Sequence, residues 1–185
     1  DLSGTAEDGK SDLNEIVGNQ HGLDTVKPVQ LIKYLIATFS NKGDIVLDFF
    51  AGSGTTGQAL EELNSEENAK RRFILVQFPE TMEGGQFSKI SELTKERLRR
   101  IALKIKSDSP MFAGDTGFRV FKLDTSNIRA WNPDRNNLEK TLLDHEEHIL
   151  PGRTEADIVY ELLLKLGLDL CVPIESRTIA GKKVG

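Results

Sequence analysis

The sequence is poor in several things, and each shortage closes a door. Cys171 is the only cysteine among 185 residues. An internal disulfide framework and a cysteine-rich zinc site are therefore excluded, which suits a reducing cytoplasmic setting. No apolar run reaches membrane-spanning length, and no signal-peptide pattern opens the chain. Basic residues are not in excess: the net charge is −5, which does not announce a nucleic-acid binder. The first residue is Asp1 rather than methionine, so the expectation is a fragment or a processed product.

Charge is instead unevenly spread. Residues 88–106 hold seven basic and two acidic side chains, and residues 134–157 hold seven acidic and three basic. Such runs read as solvated helix faces. The sharper alternatives are a phosphate-facing surface and a partner-facing one.

Residues 1–20 read as a linker or frayed end, polar and Gly/Ser-rich at the start. Pro28 suits the first turn of a helix carrying Val29, Ile32, Leu35, Ile36 and Phe39 at helical spacing. Asp44 to Phe50 and Arg72 to Phe78 are short apolar runs of the kind found in buried parallel strands. With a helix from about Thr55 to Leu63 between them, they predict a strand–helix–strand unit. A long helix is predicted from Ser88 to about Lys106, striped by Ile90, Leu93, Leu98, Ile101 and Ile105. A composition shift then marks a second region, 107–185. It should hold a strand over Gly117–Leu123, a helix within Asn136–His148, and a helix capped by Thr154 with Asp157 and stopped by Gly167. A strand and turn should end the chain.

The most informative stretch is VLDFFAGSGTTGQAL, residues 46–60. Gly52, Gly54 and Gly57 follow a strand and open a helix. Such a turn lets a ligand approach the backbone and aims helix N–H groups at it. Three ligands compete. A nucleoside triphosphate needs Lys and Ser/Thr after Gly57, where Gln58 and Ala59 stand. A nicotinamide or flavin dinucleotide fits the glycines, but Asp48 at the strand end would repel a pyrophosphate. S-adenosylmethionine carries an amino cation and no phosphate, so Asp48 becomes a partner for it.

The longer string D-x-F-x-G-S-G-T-T resembles the cofactor motif of amino-group DNA methyltransferases, with Phe49 where proline is usual. TVKPVQLIKYLI, residues 25–36, resembles the Lys-Pro element that precedes that motif in the β order. RFILVQFPE, GFRVFKLDTSNIRAW and GRTEADIVYELLLKLGL are similar to segments of the modification subunits of type III restriction systems. The resemblance implies a partial Rossmann-like methyltransferase sheet over residues 21–106 and a small α+β region beyond it. It also implies methyl transfer to adenine N6 in double-stranded DNA, homodimers and a partner restriction subunit.

By matched position, the resemblance assigns the methionine amino group to Asp48, with Phe50, Gly52, Ser53 and Gly54 around it. Thr55 and Thr56 would open the helix, Lys27 and Pro28 would shape the methionine side, and Gln77 or Glu80 would meet the ribose. A catalytic D-P-P-Y string is not found: DSPMF at Asp108 and WNPDR at Trp131 are the nearest. The expectation is thus a C-terminal, cofactor-binding portion without a catalytic residue, inactive alone. The rivals are an NAD-dependent oxidoreductase domain and a non-catalytic assembly module. His145 and His148 flank two glutamates, but three-residue spacing does not fit the zinc hydrolase pattern, and no metal site is expected.

Overall fold

A computed structural model describes residues 4–132, 134–144 and 146–184. The chain divides into two compact units, Asp1–Gly117 and Phe118–Gly185. The division falls about ten residues later than the composition shift suggests.

In the first unit the order is α1 (Ala6–Val17), α2 (Val29–Phe39), β1 (Ile45–Asp48), α3 (Thr55–Glu67), β2 (Arg72–Leu75) and α4 (Ile90–Asp108). Helix α1 corrects the expected linker over residues 1–20. Thr5 caps it: its hydroxyl accepts from Asp8 N at 3.2 Å, and Asp8 Oδ2 accepts from Thr5 N at 2.6 Å. Leu13, Ile16 and Val17 follow at i, i+3 and i+4 and are buried with Val26 and with Leu93, Ile101 and Ile105 of α4. Gly9, which favours a linker in a reading of composition, is instead a contact point. A Cβ there would stand 2.2 Å from the Val26 carbonyl oxygen.

His21 is buried in the loop after α1. Its Nε2 lies 2.9 Å from Asn14 Oδ1, and its Nδ1 accepts from Leu23 N at 3.0 Å, which fixes a neutral ring. Burial, then nearby Lys10 and Arg97, hold its pKa below the usual value. Pro28 is the N-cap of α2, one position before its expected place. The first amide of that helix, Val29 N, donates to Asp12 Oδ2 at 3.0 Å.

Strands β1 and β2 pair in parallel, Ile45 with Arg72 through Asp48 with Leu75. With α3 between them they form the expected strand–helix–strand unit. Both strands are shorter than their apolar runs because the backbone turns away after Asp48. One face of the pair is covered: Val46 and Phe73 pack with Val29 and Ile36 of α2 and Ala59, Leu60 and Leu63 of α3. The other face, with Ile45, Leu47, Ile74 and Val76, is exposed. Asn64 fixes where β2 begins, its amide bonding both N and O of Arg71 at 3.0 and 2.8 Å.

The second unit holds α5 (Leu138–Asp144), α6 (Glu155–Lys165), and an antiparallel hairpin of β3 (Arg177–Ile179) and β4 (Lys182–Val184). The Thr154–Asp157 capping box forms as expected. The strand expected over Gly117–Leu123 does not. Its alternating side chains find no partner strand among the described residues. Phe121 packs edge-on against Tyr160 instead, at 4.9 Å, while Arg119 donates to the Leu170 carbonyl at 2.7 Å. An extended run without a ladder leaves its backbone to solvent. No helix among the described residues is long and apolar enough to cross a membrane.

Candidate functional site: the glycine turn after β1

The turn spans 49–54 and links β1 to α3. Its entry is an extension of the sheet: Val76 N donates to Asp48 O at 2.8 Å, and Ala51 N to Val76 O at 3.1 Å. Gly54 N then donates to Ala51 O at 2.8 Å. Gly54 precedes α3 with φ +83°, a conformation that a side chain disfavours. A Cβ there would also stand 3.0 Å from Thr94 Cγ2. The glycine is thus required twice, by the backbone angle and by the approach of α4.

Asp48 is half-buried at the end of β1. Its Oδ1 accepts from Phe50 N at 3.0 Å and its Oδ2 accepts from the Thr56 hydroxyl at 2.5 Å. Each carboxylate oxygen has a second lone pair, so the side chain is oriented without being used up. Phe50 is 83% exposed beside Phe49, ring centroids 5.1 Å apart.

Gln77 stands close to the turn. Its Oε1 accepts from Gly52 N at 2.7 Å and its Nε2 donates to the Phe78 carbonyl at 2.8 Å. Its amide therefore braces the turn. Glu80 is exposed, and its backbone joins Phe78 and Ile90. Lys27 is exposed, with its backbone against Gly9 of α1, and Pro28 is buried, with its ring against Gly4. The structure thus brings Asp48, Phe50, Gly52, Ser53, Gly54, Thr55, Thr56 and Gln77 together around one turn. No hydrogen bond or ion pair of Lys27 or Glu80 side chains to that turn is found among the described residues.

Two residues that sequence reasoning missed lie beneath the turn. Arg97 of α4 is completely buried. Its Nη1 donates to Ser53 Oγ and Thr55 Oγ1, each at 2.9 Å, and its Nε to Gln58 Oε1 at 2.6 Å. Burial pulls its pKa down to about 10, with Asp12 and Glu62 acting the other way. Thr94 Oγ1 lies 2.6 Å from the Gly52 carbonyl oxygen. One signal could have found Arg97: it occupies the i+4 position between Leu93 and Ile101, inside the apolar stripe.

Other basic residues of this helix, exposed rather than buried, pair locally. Arg100 pairs with Glu96 and donates to Ile16 O at 3.2 Å, and Lys104 pairs with Glu15. His145 lies outside the described residues, and His148 is exposed. Among the described residues no three His, Cys, Asp or Glu side chains come together as metal ligands.

The chain is similar to known proteins. The chain is 35% identical over 125 residues to the Mod subunit of the type III restriction-modification enzyme StyLTI of Salmonella typhimurium, covering 64% of this chain and 19% of that protein. It is 32% identical over 167 residues to the EcoP15I Mod subunit of Escherichia coli, covering 85% and 24%. It is 37% identical over 100 residues to the EcoPI Mod subunit of Escherichia phage P1, covering 51% and 15%. The matched parts thus span from 15% to 24% of these relatives' lengths. A family profile described as DNA methylase matches residues 3–104, the stretch that contains the glycine turn and most of the helix beneath it, and the chain belongs to that family.

Proposed function

We propose that this chain is the S-adenosylmethionine-binding portion of a site-specific DNA adenine-N6 methyltransferase of a type III restriction-modification system. The observation that carries the reading is Asp48, an oriented carboxylate beside a glycine turn that has no lysine for a phosphate. An anion there favours an amino cation over a pyrophosphate. The residues fit the cofactor: an acid for the amino group, open glycine backbone, and an exposed aromatic, Phe50, for an apolar or ring surface.

In this reading Asp48 takes the amino group and Gly52 to Gly54 admit the ligand's backbone-like end. Ser53, Thr55 and Thr56 hold the turn and the acid in place. Lys27 and Pro28 shape the methionine side. Gln77 supports the turn, and the exposed carboxylate of Glu80 is the acceptor for the ribose hydroxyls. The cofactor supplies an electrophilic methyl group on a sulfonium; this chain's residues bind and orient it.

Methylating adenine requires that the base leave the stack and that acceptors draw on its amino hydrogens. No D-P-P-Y string that would do so occurs in residues 1–185. We therefore assign no catalytic residue here and expect no methyl transfer by this chain alone. Two-stranded β1–β2 is read as part of a larger Rossmann-like sheet, in a cytoplasmic enzyme that acts on double-stranded DNA as a homodimer with a restriction subunit.

The test is isothermal titration of the 185-residue chain with S-adenosylmethionine and, separately, NAD. Saturable binding of the first and none of the second is expected. Binding of NAD alone would replace this reading with the oxidoreductase one. Incubation with tritiated S-adenosylmethionine and mixed plasmid DNA should leave the DNA unlabelled, and label above background would refute inactivity.

A further inference from the structure

Arg97 is an expensive residue to keep where it is. It is fully buried, and its bonded partners are neutral: two hydroxyls, a side-chain amide and, at 3.5 Å, the Ser53 carbonyl. A buried cation without a bonded anion loses more hydration than neutral acceptors return. Its Nη2 has no hydrogen-bond partner. A leucine or methionine would continue the Leu93–Ile101 stripe at lower cost. The position therefore serves something other than stability.

What it touches shows what that is. Guanidinium nitrogens only donate, so Ser53 Oγ and Thr55 Oγ1 must both accept from Nη1. That fixes the rotamers of two residues on either side of Gly54 and sends their hydroxyl protons away from the guanidinium. The two oxygens lie 3.3 Å apart, so one proton can pass between them, leaving the other for an outside acceptor. Thr94, one turn earlier on α4, sets its hydroxyl 2.6 Å from the Gly52 carbonyl oxygen and 2.9 Å from that of Ile90, so its one proton favours the shorter contact, to Gly52. Between them, two side chains of α4 fix 52, 53 and 55, the residues that set where the turn's backbone N–H groups point.

We propose that Arg97 and Thr94 are positioning residues for the cofactor turn, acting through Ser53, Thr55 and Gly52 to pre-shape it for S-adenosylmethionine. The inference rests on the reading that this turn binds that cofactor. Pre-shaping raises affinity by removing the ordering cost that a slack turn would impose on the ligand.

The experiment compares the full chain with Arg97→Met, Arg97→Lys, Thr94→Val and Thr94→Ser. Three quantities are read: calorimetric affinity for S-adenosylmethionine, the melting midpoint, and hydrogen exchange of a peptide covering 51–57 without ligand. Arg97→Met should weaken binding by about tenfold or more and speed exchange in 51–57, with its melting midpoint unchanged or raised. Arg97→Lys, keeping the charge but not the fork, should fall between. Thr94→Val should weaken binding and Thr94→Ser should restore it, a rescue that a purely packing role would not give.

Wild-type affinity and unchanged exchange in both Arg97→Met and Thr94→Val would overturn the proposal. If Arg97→Met does not fold, the two Thr94 variants decide. If the parent chain binds no S-adenosylmethionine, the functional reading fails, and the exchange comparison still decides whether α4 holds the turn.

Discussion

The hydroxyl of Thr56 donates to Oδ2 of Asp48 at 2.5 Å, tying the first turn of α3 to the end of β1. The acid is thereby aimed by a residue eight positions away rather than left to rotate. Asp48→Asn keeps the shape and removes the charge, so S-adenosylmethionine affinity should drop by about tenfold or more. Thr56→Val, which frees the carboxylate, should cost severalfold. Titration calorimetry of both variants against the parent checks this. Unchanged affinity in Asp48→Asn would remove the electrostatic basis of the functional reading.

Glu61 on α3 is buried, and its Oε2 has no hydrogen-bond partner. Burial first, and Asp115 second, push its pKa up to about 7 from 4.5. The folded state therefore binds this proton more tightly than the unfolded chain does. Its contribution is complete below pH 4.5, falls as pH rises toward 7, and is fully lost above that. Glu61→Gln should match the parent in urea melts near pH 4 and exceed it at pH 8 by roughly 1–3 kcal/mol. A difference that does not change with pH would contradict the assignment.

Gly9 tests the seating of α1. An alanine Cβ would meet backbone of Val26 and Lys27 at 2.2 and 2.7 Å, and a backbone cannot rotate aside. Gly9→Ala should destabilise the first unit by about 1–3 kcal/mol despite alanine's better helix propensity. Gly43→Ala, where a Cβ meets nothing within 4 Å, should stay within about 0.5 kcal/mol or gain slightly. Equal melting midpoints for the two variants would show that α1 does not pack as described.

The uncovered face of the β1–β2 pair predicts association. Leu47 is 58% exposed and Phe78 75%. Parallel strands are normally covered on both faces. Sedimentation velocity should show concentration-dependent self-association that Leu47→Glu with Ile74→Lys abolishes, with little change in melting midpoint. A parent chain that stays monomeric across the concentration range would exclude it.

How much of this was legible in the sequence depended on whether the signal was local. The glycine turn, the capping of α6 and the strand–helix–strand unit follow from short-range chemistry, and each was readable. The Thr5–Asp8 capping box was equally local, but Gly4, Gly9 and the polar composition masked it. Gln77 illustrates a different limit. The resemblance set it beside Glu80 as a residue for the ribose, and nothing local in the chain showed that its amide also closes onto Gly52 across the sheet. Arg97 required knowing that α4 lies beneath 52–58, a contact separated by about forty residues. The strand expected at Gly117–Leu123 failed because alternation says which way side chains face, not whether a neighbour exists to complete the ladder.

Helix α1 behaves as a splint. It grips α4 through Arg100 with Ile16 O and Lys104 with Glu15, and it grips the start of α2 through Asp12 with Val29 N. One short segment near the chain's beginning therefore holds both α2 and α4, the two helices that pack against α3. Anything that lifts it, whether a cut in the loop around His21 or a protein that prefers its apolar side, would slacken both helices together.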